Sequence, residues 1–320
     1  MNDTPAKTAV ESGKTPTPDT AGQSKEKKPG STRTRVITAI VAISLLAPCF
    51  YFFSDTVFLP IFSAACSVAA SFELMRCIGI HKNLAVAIPT YLLAVAMPIC
   101  TRISKIQPTY LGFSFTVGFI YLFYLFACAV FSPTKLKIND LAILFVMEIY
   151  IIFGMSTVVL VRDINYGEYL FWLIFLSAWM TDAGGYFIGR LFGRHKLCEH
   201  ISPKKTVEGA LGGVLFSAIT FVVYGFFAGL IFNLKPNYPF IILLSVAIAV
   251  VSELGDLIAS LIKRHYGAKD FGKLLPGHGG IMDRFDSIFA VAPFIFLISS
   301  NIGTIYAFFS ASTVSFDFFK

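Results

Sequence analysis

Acidic side chains occur inside long apolar stretches of this 320-residue chain. A carboxylate in the middle of a membrane-spanning helix costs roughly 2.5–3.5 kcal/mol even on insertion scales, so each one suggests a function. Glu253 and Asp256 are three residues apart, and so are Asp283 and Asp286, which places each pair on one face of a helix. Carboxylates on facing helices would form an all-oxygen site suited to Mg²⁺, which takes one or two carboxylates together with waters and phosphate oxygens.

A structural alternative uses the same acids. Lys263, Arg264 and Arg284 are near them in sequence and could form salt bridges with them inside the membrane. Spacing alone leaves both the metal site and the salt bridges open. Glu73 and Glu148 lie alone in earlier apolar stretches, and we assign them to packing or to contacts with neighbours that the sequence does not identify.

Two long polar connections combine cations with glycines. The first, 189–208, contains Lys204 and Lys205, and the second, 263–285, contains Lys269 and the run Pro-Gly-His-Gly-Gly. Glycines let backbone N–H groups approach an anion closely. Cations beside carboxylates fit the combination of phosphate and metal that phosphoryl and nucleotidyl transfer need. The alternative is that these cations only anchor helix ends at a membrane surface.

Long apolar runs are the elements that must position these residues. Each has about the 20 residues needed to cross a bilayer core. The predicted spans are 36–53, 57–75, 84–101, 111–131, 141–161, 168–188, 209–232, 240–262 and 286–309. The predicted fold class is therefore an all-α polytopic integral membrane protein with about nine transmembrane helices.

Composition excludes a soluble fold, because only 14% of the residues are charged and 56% are hydrophobic, whereas soluble domains have about 25% charged residues. The six cysteines have no paired spacing, which excludes a disulfide framework. Residues 1–35 are polar and contain no aromatic residue, which predicts a disordered tail. The membrane domain is predicted at 36–309, with a short tail at 310–320.

The distribution of cations predicts an orientation. Most of the 26 Lys and Arg residues fall in the tail and in every second connection, including both long ones. This bias places the N-terminus and both long connections in the cytoplasm, with a multi-pass chain in the inner membrane if the source is bacterial. The same bias accounts for most of the net charge of +7 without nucleic acid as a partner.

The stretch 260–286 resembles the phosphatidate cytidylyltransferases, also called CDP-diacylglycerol synthases. The family pattern is matched in register by Ser260, Lys263, Arg264, Lys269, Asp270, Gly272, Leu275, Pro276, His278, Gly279, Gly280, Ile281, Asp283, Arg284, Phe285 and Asp286. An upstream segment is also similar, at Asp182, Tyr186, Gly189, Gly193, Ser202, Pro203, Lys204, Lys205, Thr206 and Glu208. The resemblance covers 177–286 well, whereas the first five spans match only in being apolar.

The resemblance implies that CTP and phosphatidic acid react to give CDP-diacylglycerol and pyrophosphate, with Mg²⁺ as cofactor and K⁺ as the suggested second cation. It also implies a charged cavity that opens to the cytoplasm and sideways to membrane lipids. A homodimer is left open.

Carried over residue by residue, the resemblance gives Asp256 and Asp283 as ligands of Mg²⁺, while spacing adds Asp286, which could instead orient Arg284. The candidates to neutralise phosphates are Lys204, Lys205, Lys263, Arg264 and Arg284. Main-chain N–H groups of Gly279 and Gly280 are expected to reach a phosphate. Further candidates for binding the nucleotide or its phosphates are Asp182, Tyr186, Ser202, Glu208, Lys269 and His278.

Two other functions use the same features. A CTP-dependent kinase of polyprenols or other lipid alcohols would transfer the γ-phosphoryl group and release CDP instead of pyrophosphate. A cation or proton transporter could use the buried acids, but transporters often carry inverted repeats and broken helices, for which the sequence gives no sign.

Overall fold

The computed structural model is mostly helical in the part of the chain that it describes. The described residues are 44, 47–104, 107–132, 136–164, 166–232, 234–274, 279–300 and 309–311. In chain order the elements are α1 (Phe58–Ile78), α2 (Leu84–Ser104), α3 (Gln107–Phe131), α4 (Ile138–Asp163), α5 (Gly167–Phe192), β1 (Lys196–Cys198), β2 (Ser202–Thr206), α6 (Val207–Phe232), β3 (Leu234–Pro236), α7 (Tyr238–His265), α8 (Met282–Ser299) and β4 (Phe309–Ala311). Residues 47–53 are also helical and precede α1.

Within the described residues, seven helices, α1 to α7, are long and apolar enough to cross a membrane. The predicted class, an all-α multi-pass membrane protein, is confirmed. Helix α8 has 18 residues and carries Asp283, Arg284 and Asp286 in its first turns. The total of about nine spans stays a prediction, because most of the run 36–53 and the end of the run 286–309 lie outside the described residues. The predicted tail 1–35 lies outside them too.

Two short antiparallel strand pairs lie where the sequence predicts only connections or a tail. Strand β1 pairs with β2, with Lys196 opposite Thr206 and Cys198 opposite Ser202. Strand β3 pairs with β4, which joins 234–236 to 309–311. Strands of three to five residues are too short to show an alternating pattern in the sequence, and this explains why the prediction misses them.

Helix α4 lies at the centre of the bundle and contacts α1, α2, α3, α5 and α8. The buried side chains around it include Phe171 and Phe289, which have almost no exposed surface. Helix α3, in contrast, exposes large apolar side chains such as Phe115 and Phe131. An apolar outer surface of this kind is expected where a helix faces lipid tails instead of water.

Helices α5 and α6 approach each other closely through glycines. A methyl group on Gly184 would lie 2.6 Å from the Cβ atom of Phe216, and one on Gly212 would lie 2.4 Å from the Cβ atom of Ile188. Small residues at such positions let helix backbones pack tightly in a membrane. The contact fixes the last turns of α5 against the start of α6, where the polar residues gather.

A glycine also sets the distance between α4 and α8. A methyl group on Gly154 would lie 2.7 Å from the Cα atom of Phe289 and 2.8 Å from its carbonyl oxygen, so the α8 backbone would have to move. We predict that Gly154→Ala destabilises the protein by roughly 1–3 kcal/mol and lowers its melting temperature in detergent. Gly118→Ala is the matched control, because a methyl group there meets nothing within 4 Å. Equal melting temperatures for the two variants would contradict this packing.

Candidate functional site

A cavity of about 200 Å³ lies where α5 and α7 meet β2 and the start of α6. Carboxylates, lysines and small residues line it: Asp182, Gly185, Tyr186, Lys204, Lys205, Thr206, Gly209, Ala210, Glu253 and Asp256. The cavity therefore brings the upstream segment of the sequence together with the acids of α7.

Lys205 joins two carboxylates of α7 at this cavity. Its ammonium group forms ion pairs with Glu253 and with Asp256, the latter at 2.9 Å between Nζ and Oδ2. Burial increases along β2 towards α6: Lys204 is exposed, Lys205 is half-buried and Thr206 is buried. Thr206, at the end of β2, accepts a hydrogen bond from the N–H of Gly209 at 3.1 Å and so fixes the strand to α6.

The two carboxylates keep the Lys205 ammonium charged. Burial by itself lowers the pKa of this group, but the charges of Asp256 and Glu253 outweigh burial and raise the pKa of Lys205 above its ordinary value. Lys205 therefore carries a positive charge throughout the neutral pH range. The cluster of Lys205, Glu253 and Asp256 thus holds one positive and two negative charges, a balance that favours a further cation, or a phosphate that arrives with one.

Asp283, the second acid that the motif predicts, lies in the first turn of α8. Its Oδ1 atom is 2.9 Å from the Lys263 ammonium, and its Oδ2 atom accepts hydrogen bonds from the N–H groups of Phe271 and Gly280 at 3.0 and 3.1 Å. Gly279 has a left-handed backbone with φ of +91°, which a glycine adopts without strain. The carboxylate thus organises the connection between α7 and α8.

Asp286 lies near both groups of charges. Its carboxylate is repelled by those of Asp256 and Asp182 and attracted by the Lys263 ammonium, which also holds Asp283. The carboxylates of α5, α7 and α8 therefore belong to one charged network. They offer the oxygen ligands that hard cations prefer, although no group of three or more His, Cys, Asp or Glu residues in the described part of the chain is arranged as a metal site.

Two predicted site residues are bonded to backbone groups of the strand pair β1–β2 and its flanks. Glu208 accepts hydrogen bonds from the N–H groups of Arg194 and His195. Arg264 donates from Nε to the carbonyl oxygen of Ile201 at 3.2 Å. These contacts hold the strand pair against α6 and α7.

The other predicted residues are distributed around the cavity. Arg284 attracts a cavity carboxylate, that of Asp182, electrostatically. Tyr186 lines the cavity and its hydroxyl accepts a hydrogen bond from Arg190. Ser202 begins β2, Lys269 is exposed after the end of α7, and His278 lies outside the described residues.

The structure gives specific partners to two acids that the resemblance does not include. Glu253 is bound to Lys205, and its spacing from Asp256 is the signal in the sequence. Glu73, on α1, accepts a hydrogen bond from the N–H of Met282, which is 209 residues away in the chain. No local pattern in the sequence could indicate that contact.

Comparison with known proteins gives a consistent match. A family model described as the cytidylyltransferase family matches residues 33–301. The phosphatidate cytidylyltransferase of Staphylococcus haemolyticus is 34% identical over 270 residues, which are 82% of this chain and 97% of that protein. The protein of the same name from Staphylococcus epidermidis is 33% identical over 267 residues with the same coverage. The one from Bacillus subtilis is 43% identical over 120 residues, which are 38% of this chain and 43% of that protein.

The fold and these matches define a nucleotidyltransferase embedded in a membrane. The chain belongs to the cytidylyltransferase family. The resemblance drawn from 260–286 is thereby confirmed.

The Lys205 ion pairs make a prediction about stability. Lys205→Met leaves Glu253 and Asp256 without their shared cation, and these side chains are only 11% and 26% exposed. We expect destabilisation by roughly 1–3 kcal/mol, which is less than for a fully buried pair, seen as a lower melting temperature in detergent. Adding Glu253→Gln should restore part of the loss, because it removes one of the two unpaired charges. Lys196→Met is the control, since Lys196 bonds to the carbonyl oxygen of Pro203 and its loss leaves no carboxylate without a cation. An unchanged melting temperature for Lys205→Met would show that the pairs contribute nothing.

Proposed function

We propose that the chain is a phosphatidate cytidylyltransferase, which converts CTP and phosphatidic acid into CDP-diacylglycerol and pyrophosphate. Relatives that bear this name match over most of the chain. The observation that carries the proposal is the Lys205 ammonium held by Glu253 and Asp256 at a cavity of a membrane bundle. A site of this composition suits the meeting of a triphosphate with a lipid phosphate.

The reaction requires no nucleophile from the protein. The phosphate of phosphatidic acid is an anion at neutral pH, and one of its oxygens attacks the α-phosphorus of CTP. The bond from the α-phosphorus to the oxygen that bridges to the β-phosphorus breaks, and pyrophosphate leaves with the electron pair. Both reactants are negatively charged, so the barrier consists mainly of repulsion and positioning.

Cations around the cavity are assigned to reduce this repulsion. Lys204 and Lys205 line the cavity, and Arg284 acts electrostatically on Asp182. We assign these three cations to bind the phosphates of the two substrates. Lys263 is bonded to Asp283 and serves to orient that carboxylate.

The carboxylates fit a divalent cation that arrives with the nucleotide. Mg²⁺ takes only one or two protein carboxylates when phosphate oxygens and waters complete its shell. The pair Glu253 and Asp256 already accommodates one cation, the Lys205 ammonium, and the Oδ1 atom of Asp283 retains capacity to accept beside its contact with Lys263. We assign Mg²⁺ to Asp256 and Asp283, with Asp286 as the third candidate ligand and K⁺ as the candidate second cation. When bound, Mg²⁺ would neutralise charge on the phosphates.

We also propose the orientation that the cation bias predicts, with the N-terminus, the strand pair β1–β2 and the connection between α7 and α8 in the cytoplasm. This orientation gives the cavity access to CTP. Since the similar proteins named above are bacterial, the membrane would be the cytoplasmic (inner) membrane of a bacterium.

The test is an incorporation assay with the purified full chain in lipid vesicles. CTP labelled at the α-phosphorus is supplied with phosphatidic acid, with and without Mg²⁺. We expect label in the lipid fraction and one pyrophosphate per labelled lipid, both dependent on Mg²⁺. Release of CDP without labelled lipid would contradict the proposal and favour the lipid-alcohol kinase.

The role of Asp283 gives a further prediction. Asp283→Asn preserves the shape of the side chain but removes the charge that pairs with Lys263 and is assigned to the metal. We expect the rate of transfer to fall roughly 100-fold or more, with an unchanged gel-filtration profile. Asp163→Asn is the control. Asp163 is the last residue of α4 and pairs with Arg102 instead of with a residue assigned to the site. A rate for Asp283→Asn close to that of the control would remove Asp283 from the metal site.

A further inference from the structure

Glu73 extends from α1 into the connection that carries the motif. Glu73 is buried, with only 4% of its surface exposed. Its Oε2 atom accepts a hydrogen bond from the N–H of Met282 at 2.9 Å. Met282 is the first residue of α8 and directly precedes Asp283, so α1 is bonded to the backbone beside that acid.

The carboxylate of Glu73 fits tightly between two parts of this connection, residues 271–274 and 279–281, which we call the loop arms. A methyl group on Gly272 would lie 2.0 Å from Oε1 of Glu73, and one on Gly280 would lie 2.2 Å from Oε2. Each arm therefore presents a glycine where any larger residue would collide with the carboxylate. The two glycines thus leave the space between the arms that the Glu73 carboxylate occupies.

Asp283 contacts the same two arms. It accepts hydrogen bonds from the N–H groups of Phe271 and Gly280, one from each arm. Two carboxylates, Asp283 on α8 and Glu73 on α1, thus hold the loop arms, and we call this pair of carboxylates the clamp. Loss of either one removes half of this clamp.

The start of α8 has need of an external acceptor. The first N–H groups of a helix have no acceptor within the helix, and the residue that precedes α8, Ile281, supplies no side-chain cap. Glu73 supplies an acceptor from a different helix. A carboxylate at this end of a helix is also favoured by the helix dipole.

We propose that Glu73 is a positioning residue for the transfer reaction, which holds the loop arms and the start of α8 so that Asp283 keeps its orientation. The catalytic part of this inference rests on the proposed function, in which Asp283 holds the metal. The structural part, the clamp itself, can be measured without any substrate.

Limited proteolysis measures the clamp directly. Lys269, just before the first arm, and Lys273, within it, are both exposed, so trypsin cleavage at these two lysines reports how often the arm opens. The full chain in detergent is digested, and fragments that end at these lysines are quantified by mass. The rate of transfer, its kcat and the KM for CTP are measured in parallel.

We expect Glu73→Ala to be cleaved at these lysines several-fold faster than the unchanged protein. We expect its kcat to fall roughly tenfold with little change in KM for CTP. A displaced Asp283 carboxylate slows the transfer of the cytidylyl group but leaves nucleotide binding in place. Glu73→Gln keeps an oxygen that accepts from Met282, so both its cleavage and its kcat should remain close to the original. Glu148→Ala is the control: it removes the other buried acid of the early helices, which is bonded to Ser71 and not to the loop arms.

A double-mutant cycle keeps the test decisive if Glu73→Ala folds poorly. Gly272→Ala should speed cleavage by driving a methyl group against the Glu73 carboxylate, but it should add little in the Glu73→Ala background, where no carboxylate remains to collide with. Additive effects of the two changes, or cleavage of Glu73→Ala at the original rate, would overturn the proposal. If the unchanged protein lacks transfer activity while the cleavage pattern is as expected, the proposed function fails and the clamp stands.

Discussion

Pairing of charges inside a lipid-surrounded bundle is the constraint on which this site depends. A bilayer offers no water to stabilise a buried ion, so each carboxylate near the core needs a partner from the protein. Lys205 provides it for Glu253 and Asp256, and Lys263 provides it for Asp283. In the first case the partners come from a strand and a helix, and in the second from two helices. The pairs that neutralise the acids therefore also fix the elements that carry them.

Pairing alone does not make a site, as the ion pair at the C-terminal end of α4 shows. There Arg102 lies 3.0 Å from Asp163 and also donates to backbone oxygens of Ser54 and Asp55, so protein groups surround its guanidinium. The pairs made by Lys205 differ because they line a cavity. Gly185 on α5 and Gly209 on α6 line that cavity, and their lack of side chains leaves room beside the charges for a ligand. The functional distinction lies in this open space and not in the number of charges.

Much of the fold follows from the sequence, because a long apolar run predicts a membrane-spanning helix. The predicted run 57–75 corresponds to α1, and 240–262 to α7, with ends that differ by a few residues. The motif predicts Asp256 and Asp283 as the acids of the site, and this stays a prediction. The sequence could not show which lysine pairs with them, because Lys204 and Lys205 are adjacent and only the fold brings Lys205 to Glu253 and Asp256. Nor could it show Glu73 beside Met282, because a contact between distant positions leaves no local pattern. Glu208 and Arg264 look similar to the other site residues in sequence, yet they are bonded to backbone groups beside the cavity.

We propose that carboxylates from α7 and α8 and a lysine from β2 form one site for a nucleotide and its metal. Titration of Mn²⁺ into the purified protein, followed by electron paramagnetic resonance with a CTP analogue that cannot be cleaved, measures this binding. We expect one bound Mn²⁺ that depends on the analogue and whose affinity falls roughly tenfold or more in Asp256→Asn. Mn²⁺ binding in Asp256→Asn that matches the unchanged protein would contradict it.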